Sequence, residues 1–346
     1  MKMDVNNYVE VEVTDTPEER KSRKKHFSKI GLFMFLGTLI IYAVQYGSLY
    51  ISSHIPSIYE DSNLRFLVSM LPMYIICYPI IYLLMKQIPA DTTTQKKKMK
   101  TSHIFVSFFI CYAATYVLNI IGTIITTIIG IFKQDTVSNV MFDIVSDIHP
   151  LANFLIIVVA APILEELLFR KWIIDRTARF GEGISVVVSG IMFGLFHGNL
   201  GQTMYATAIG MLFAYIYVKT RNIRYSIILH MCLNFLGGFL SSLLLRASGY
   251  MEMLQLANGN ISPRQIMALF MDHWLGLVLL FLYAFCLLGF VIAGVVLFIV
   301  NRHKFTFCQG EVSIPKGQFF STAFLNVGML LFCGYWIVMI IRQLVS

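Results

Sequence analysis

Apolar positions along this chain neither alternate nor mark one face of a helix; they run on without interruption. Such runs fall near residues 30–53, 65–85, 103–132, 150–169, 183–200, 203–218, 225–245, 273–300 and 319–341, with short polar segments between them. A helix rises about 1.5 Å per residue, so about 20 apolar residues cross a hydrocarbon core of roughly 30 Å. Backbone inside lipid must also satisfy its own hydrogen bonds, which a helix does within one segment. The pattern therefore predicts an all-α fold, a polytopic membrane helical bundle of about eight to nine transmembrane helices. The fifth and sixth runs are short, and only Gly198-Asn199-Leu200-Gly201 separates them. They read as a tight helical hairpin, tilted or incompletely spanning. Gly181 is the expected turn between the fourth and fifth runs.

Composition agrees with that picture. Of 346 residues, 57% are hydrophobic and 13% charged, against about 25% charged in soluble domains. A cytosolic globule, a disordered chain and a disulfide-stapled secreted domain are excluded. Five of the six cysteines lie in apolar runs and Cys308 lies in a polar loop, with no CxxC spacing. Neither a disulfide framework nor a cysteine zinc site is implied. The first 28 or so residues are hydrophilic, so no cleavable signal peptide is expected.

The net charge of +8 is informative through its placement. With the N-terminus inside, only Arg65, Lys133, Arg246, Arg264 and Arg342 of the 27 Lys and Arg residues fall outside. That asymmetry predicts a cytoplasmic N-terminus, an external C-terminus and contact of the basic segments with anionic lipid. It gives no reason to expect nucleic acid. The chain is expected in the cell membrane as a multi-pass protein, or in the endoplasmic reticulum membrane if its source is eukaryotic. Residues 1–28 read as a basic cytoplasmic tail, 29–149 as N-terminal transmembrane helices and 150–246 as the candidate catalytic core. Residues 247–272 form the longest external loop, and 273–346 the C-terminal transmembrane helices. Within the loop, Ser262-Pro263-Arg264-Gln265 reads as a helix start leading into the eighth span.

Two acidic residues lie inside an apolar run, Glu165 and Glu166. A carboxylate at mid-bilayer costs on the order of 2.5–3.5 kcal/mol on insertion scales. Glu166 stands four residues before Arg170, the favoured orientation for an ion pair on one helix face. Glu165 lies about 100° round the helix and is left without a local partner, which marks it as a candidate functional group. His197 follows Phe193 by four residues at the end of the fifth run, and His230 and Asn234 share one face of the seventh. A single intramembrane histidine is more often a satisfied hydrogen bond than a catalytic group. Glu165, His197 and His230 together, with Asn234 beside one of them, reverse that reading. Glu165 and His197 are each 16 residues from Gly181, so antiparallel helices would bring them level, and all three groups fall in the cytoplasmic half.

A desolvated Glu can take a proton from water, a neighbouring His can orient that water or pass the proton on, and amide or imidazole donors can stabilise an oxyanion. These parts suit amide hydrolysis inside a membrane. The same Glu and two His could instead hold zinc with one position open; spacing does not separate the two. HExxH is absent, so a soluble-type zinc protease is not supported.

Glu165-Glu166-Leu167-Leu168-Phe169-Arg170 is an EExxxR sequence, Phe193-Gly194-Leu195-Phe196-His197 is FxxxH, and His230-Met231-Cys232-Leu233-Asn234 is HxxxN. The ordered trio resembles the type II CAAX prenyl endopeptidase family, whose bacterial relatives are grouped as CPBP intramembrane proteases. The resemblance covers roughly residues 150–240. It implies a helical core with a conical cavity open to the cytoplasm and the membrane. Glu165 would be the general base and His197 would help activate water. His230 and Asn234 would stabilise the oxyanion, with Glu166, Arg170 and Phe193 in support. Members are often described as metalloproteases and a metal-free glutamate mechanism is also argued; the metal-free route is the expectation here, with zinc as the alternative cofactor. The substrate would be a membrane-associated peptide or protein, lipidated or CAAX-like in a eukaryote, a pheromone or bacteriocin precursor in a bacterium. Competing readings are a non-catalytic membrane regulator or bacteriocin-immunity protein of the same fold, and a proton-coupled transporter, which the lack of inverted repeats weakens.

Overall fold

The computed structural model describes residues 15–91, 95–133, 148–250, 252–253 and 262–345. The first part of the basic tail and much of the 247–272 loop lie outside the described residues. Nine long helices follow in order among them: α1 (Pro17–Ser53), α2 (Ser62–Lys86), α3 (Thr101–Lys133), α4 (Pro150–Phe180), α5 (Glu182–Phe196), α6 (Leu200–Thr220), α7 (Arg224–Ala247), α8 (Pro263–Asn301) and α9 (Val327–Val345). All but α5 and α6 are long and apolar enough to cross a membrane. No strand occurs among the described residues; the one bridge pairs Gly181 with Gln309. The fold is an all-α polytopic bundle, and the chain is a multi-pass membrane protein.

Helix starts follow local chemistry. Thr16 caps α1 and forms a reciprocal capping box with Glu19, so the helix begins inside the segment set apart as a polar tail. Its basic stretch docks: Arg23 is buried and pairs with Asp15, and Phe27 packs on Phe180 with ring centroids 4.8 Å apart. Ser262 and Gln265 form the same box at the start of α8, which continues without a break for 39 residues. Its Phe281 and Phe285 are each 70% exposed, as expected of rings that face lipid.

The hairpin read from the fifth and sixth runs is present. At 15 residues α5 spans about 22 Å, less than a bilayer core. Its glycines let α6 approach closely. A Cβ on Gly194 would lie 1.9 Å from Thr207 Oγ1, and one on Gly190 would lie 2.3 Å from Met211 Cγ. Gly190 and Gly194 are four residues apart, the small-residue spacing that brings membrane helices together. The turn before α5 uses Gly181 at φ 112°, a conformation that favours glycine.

The last apolar run is not one helix. A short helix, Phe319–Ala323, ends before α9 begins at Val327. Asn326 causes the break. Its Nδ2 donates to the carbonyls of Thr322 and Ala323 at 3.1 and 3.0 Å, and its Oδ1 accepts from Met329 N at 3.1 Å. One side chain thus satisfies the end of one helix and the start of the next.

At the end of the bundle that carries Gly181, Asp175 joins three elements. It is buried, accepts from Tyr217 Oη at 2.7 Å and pairs with Lys171 at 2.6 Å and Arg221 at 3.5 Å. The Asp91 amide donates to the Asp175 carbonyl at 2.6 Å. These contacts pin α4, α6 and the segment after α2 around the site.

Candidate active site

Helices α4, α5 and α7 bring the two glutamates and two histidines to one place. Three stretches around them wind in the wider π register: Phe154–Ala160 and Leu167–Ile174 in α4, and Phe235–Leu240 in α7. Such segments change the direction of side chains and cluster at functional sites.

Glu166 and Arg170 are both fully buried and meet as the four-residue spacing predicts. Arg170 Nε lies 2.9 Å from Glu166 Oε2, and Nη2 donates to Oε1 at 3.0 Å. Arg170 also donates to Ser189 Oγ at 3.2 Å, and its guanidinium sits 4.6 Å above the Phe193 ring and 5.7 Å from that of Phe213. Ser189 in turn donates to the Phe169 carbonyl at 2.8 Å. Phe193 is therefore the floor under the cation as well as the packing neighbour of His197, with ring centroids 4.9 Å apart.

His230 is buried and links the two carboxylates. Its Nδ1 lies 3.0 Å from Glu166 Oε1, and its Nε2 lies 3.7 Å from Glu165 Oε2. The carboxylate oxygens of Glu166, paired with Arg170, accept hydrogen bonds. The Nδ1 atom therefore carries hydrogen, and Nε2 is the ring nitrogen turned toward Glu165. His197 is held alike: its Nδ1 donates to the Phe193 carbonyl, a pure acceptor, at 2.9 Å, so Nε2 is the ring nitrogen not used in that bond. Glu165 differs from its neighbour. Its side chain retains 21% exposure, and no Lys or Arg among the described residues pairs with it.

Asn234 takes up another contact. Its Nδ2 donates to the Ile157 carbonyl in α4 at 2.9 Å. The motifs and their spacing foretell neither that contact, nor the Ser189 brace, nor the tie between His230 and Glu166. None has a motif of its own, although Pro162, which removes a backbone donor from α4, is a visible signal for the first.

Zinc was the alternative cofactor. No group of three or more His, Cys, Asp or Glu side chains among the described residues is arranged to hold a metal ion. On that arrangement no step is derived through a metal.

The fold and this cluster define a multi-pass helical membrane protein with a carboxylate–imidazole site enclosed by its helices. Residues 147–236 match the family model described as type II CAAX prenyl endopeptidase Rce1-like. All three motifs lie within that segment, so the resemblance they carry is borne out there. The chain is also similar to "Putative membrane peptidase YdiL" of Bacillus subtilis (strain 168), at 28% identity over 169 residues, 46% of this chain. The aligned region spans 66% of that relative's length. No solved structure matches the chain.

Proposed function

We propose that the protein is a membrane endopeptidase that hydrolyses a peptide bond of a membrane-associated peptide or protein, lipidated or CAAX-like substrates included. One observation carries the reading: Glu165, partly exposed and unpaired with any Lys or Arg among the described residues, faces a histidine nitrogen 3.7 Å away whose opposite nitrogen is anchored on the Glu166–Arg170 pair. The match to the endopeptidase family model and the similarity to a relative named as a membrane peptidase support the same class.

In this reading a water donates its hydrogens to Glu165 and to a histidine Nε2 and turns a lone pair toward the scissile carbonyl. Glu165 takes the proton as the new C–O bond forms. His230 Nε2, facing Glu165, receives it and delivers it to the leaving amine. Glu166 stabilises the imidazolium through Nδ1, the part an orienting carboxylate plays beside any catalytic histidine. As an oxyanion donor His230 would need a hydrogen on Nε2, so it serves that role only once it holds the transferred proton. His197, with its free Nε2, helps to place the water.

The test compares membrane-associated peptide termini in cells making the wild type, Glu165→Gln or His230→Ala. New termini with the wild type alone are expected. Identical termini in all three overturn the endopeptidase and favour the non-catalytic regulator.

A further inference from the structure

Within α4 the segment Phe154–Ala160 runs in π register, and at its end the Ala161 amide reaches back five residues to the Ile156 carbonyl. The next donor in that register would be the amide of residue 162, and its acceptor the carbonyl of Ile157. Residue 162 is a buried proline and has no N–H. The Ile157 carbonyl is therefore left without a partner inside its own helix, in apolar surroundings where an unpaired carbonyl is costly. Asn234 Nδ2, arriving from α7, donates to it at 2.9 Å.

We propose that Asn234 is a positioning residue that stands in for the hydrogen-bond donor Pro162 lacks. On α7 the bond lies one turn along from His230; on α4 it replaces a donor three residues before Glu165. Together with the contact of His230 on Glu166 at 3.0 Å, it makes a second link between the helix that carries the imidazole and the helix that carries both carboxylates. Two links on adjacent turns fix the sliding and rotation of α7 against α4, and hence the approach of His230 Nε2 to Glu165. The same bond consumes one of the two amide hydrogens of Asn234, a group that the motif resemblance assigns to the oxyanion. The structural role stands on the geometry alone; its consequence for peptide hydrolysis rests on the endopeptidase reading.

Restoring the missing donor separates the two roles. Four full-length proteins are compared in detergent: wild type, Asn234→Ala, Pro162→Ala and the double variant. An alanine at position 162 supplies an amide to the Ile157 carbonyl, so Asn234 should become dispensable. Asn234→Ala should lower the melting temperature by roughly 2–6 °C in the wild-type background and by about 1 °C or less in the Pro162→Ala background. With a fluorescence-quenched farnesylated CAAX peptide as probe, Asn234→Ala should lose about ten- to a hundredfold in kcat through misplacement. The double variant should return to within about threefold of Pro162→Ala, with KM little changed. Equal melting losses in both backgrounds overturn the proposal. Restored melting with kcat still lost overturns the claim that Asn234 acts by positioning, and assigns it to the reacting groups. If Asn234→Ala yields no folded protein, recovery of folded protein in the double variant supports the proposal and failure to recover overturns it. A wild type that leaves the probe uncut bears on the endopeptidase reading alone, because the melting comparison needs no substrate.

Discussion

Arg170→Met isolates the electrostatics that separate the two adjacent glutamates. Arg170 and Glu166 have no solvent exposure, and their atoms meet at 2.9 and 3.0 Å. Removing one partner of such a pair leaves an uncompensated buried charge, worth about 3–5 kcal/mol. Methionine keeps the apolar stem against Phe193, so packing contributes little to the difference. A loss of about 3 kcal/mol at pH 7 is expected.

Removing both charges, as in Glu166→Gln with Arg170→Met, should restore most of the loss, since no lone charge remains. Unfolding in mixed micelles by titration with sodium dodecyl sulfate, followed by fluorescence of the three tryptophans, measures all of these. A loss under about 1 kcal/mol would refute the claim that this pair carries a buried full charge.

Gly194→Val should part α5 from α6, because the new side chain begins 1.9 Å from Thr207 Oγ1 and 2.8 Å from the Thr203 carbonyl. Backbone does not yield as a flexible side-chain tip does, so a loss of about 1–3 kcal/mol or more is expected; an unchanged melting temperature would deny the close approach. Asn326→Ala removes the side chain that caps both flanking helices. It should cost about 1–2 kcal/mol by detergent melting, and no measurable cost would show that water replaces those bonds.

How much of the site was legible depends on whether its contacts are local. Glu166 and Arg170 are four residues apart on one helix, so periodicity alone placed them together. Glu165 was conspicuous because it lacked such a neighbour, and in the structure it stays partly exposed, with no Lys or Arg among the described residues paired to it. The tie between His230 and Glu166 was not legible, because 64 residues separate them. Spacing from Gly181 could give depth along the bundle but no rotation about the helix axes. The contact of Asn234 escaped for a further reason. It depends on a π-register segment, which neither composition nor hydropathy reports.

By itself the sequence determined that the chain is a membrane bundle, how many apolar segments it has and which polar residues lie within them. Those properties follow from bilayer thickness and from the cost of burying charge, and both act on each segment separately. The tertiary structure alone decided that His230 bridges the two carboxylates and which ring nitrogen meets each, where the last apolar run breaks and which carbonyl Asn234 serves. Each of these turns on a donor or acceptor supplied by a different turn or a different helix. Its energy exists only once packing has brought the partner within about 3 Å.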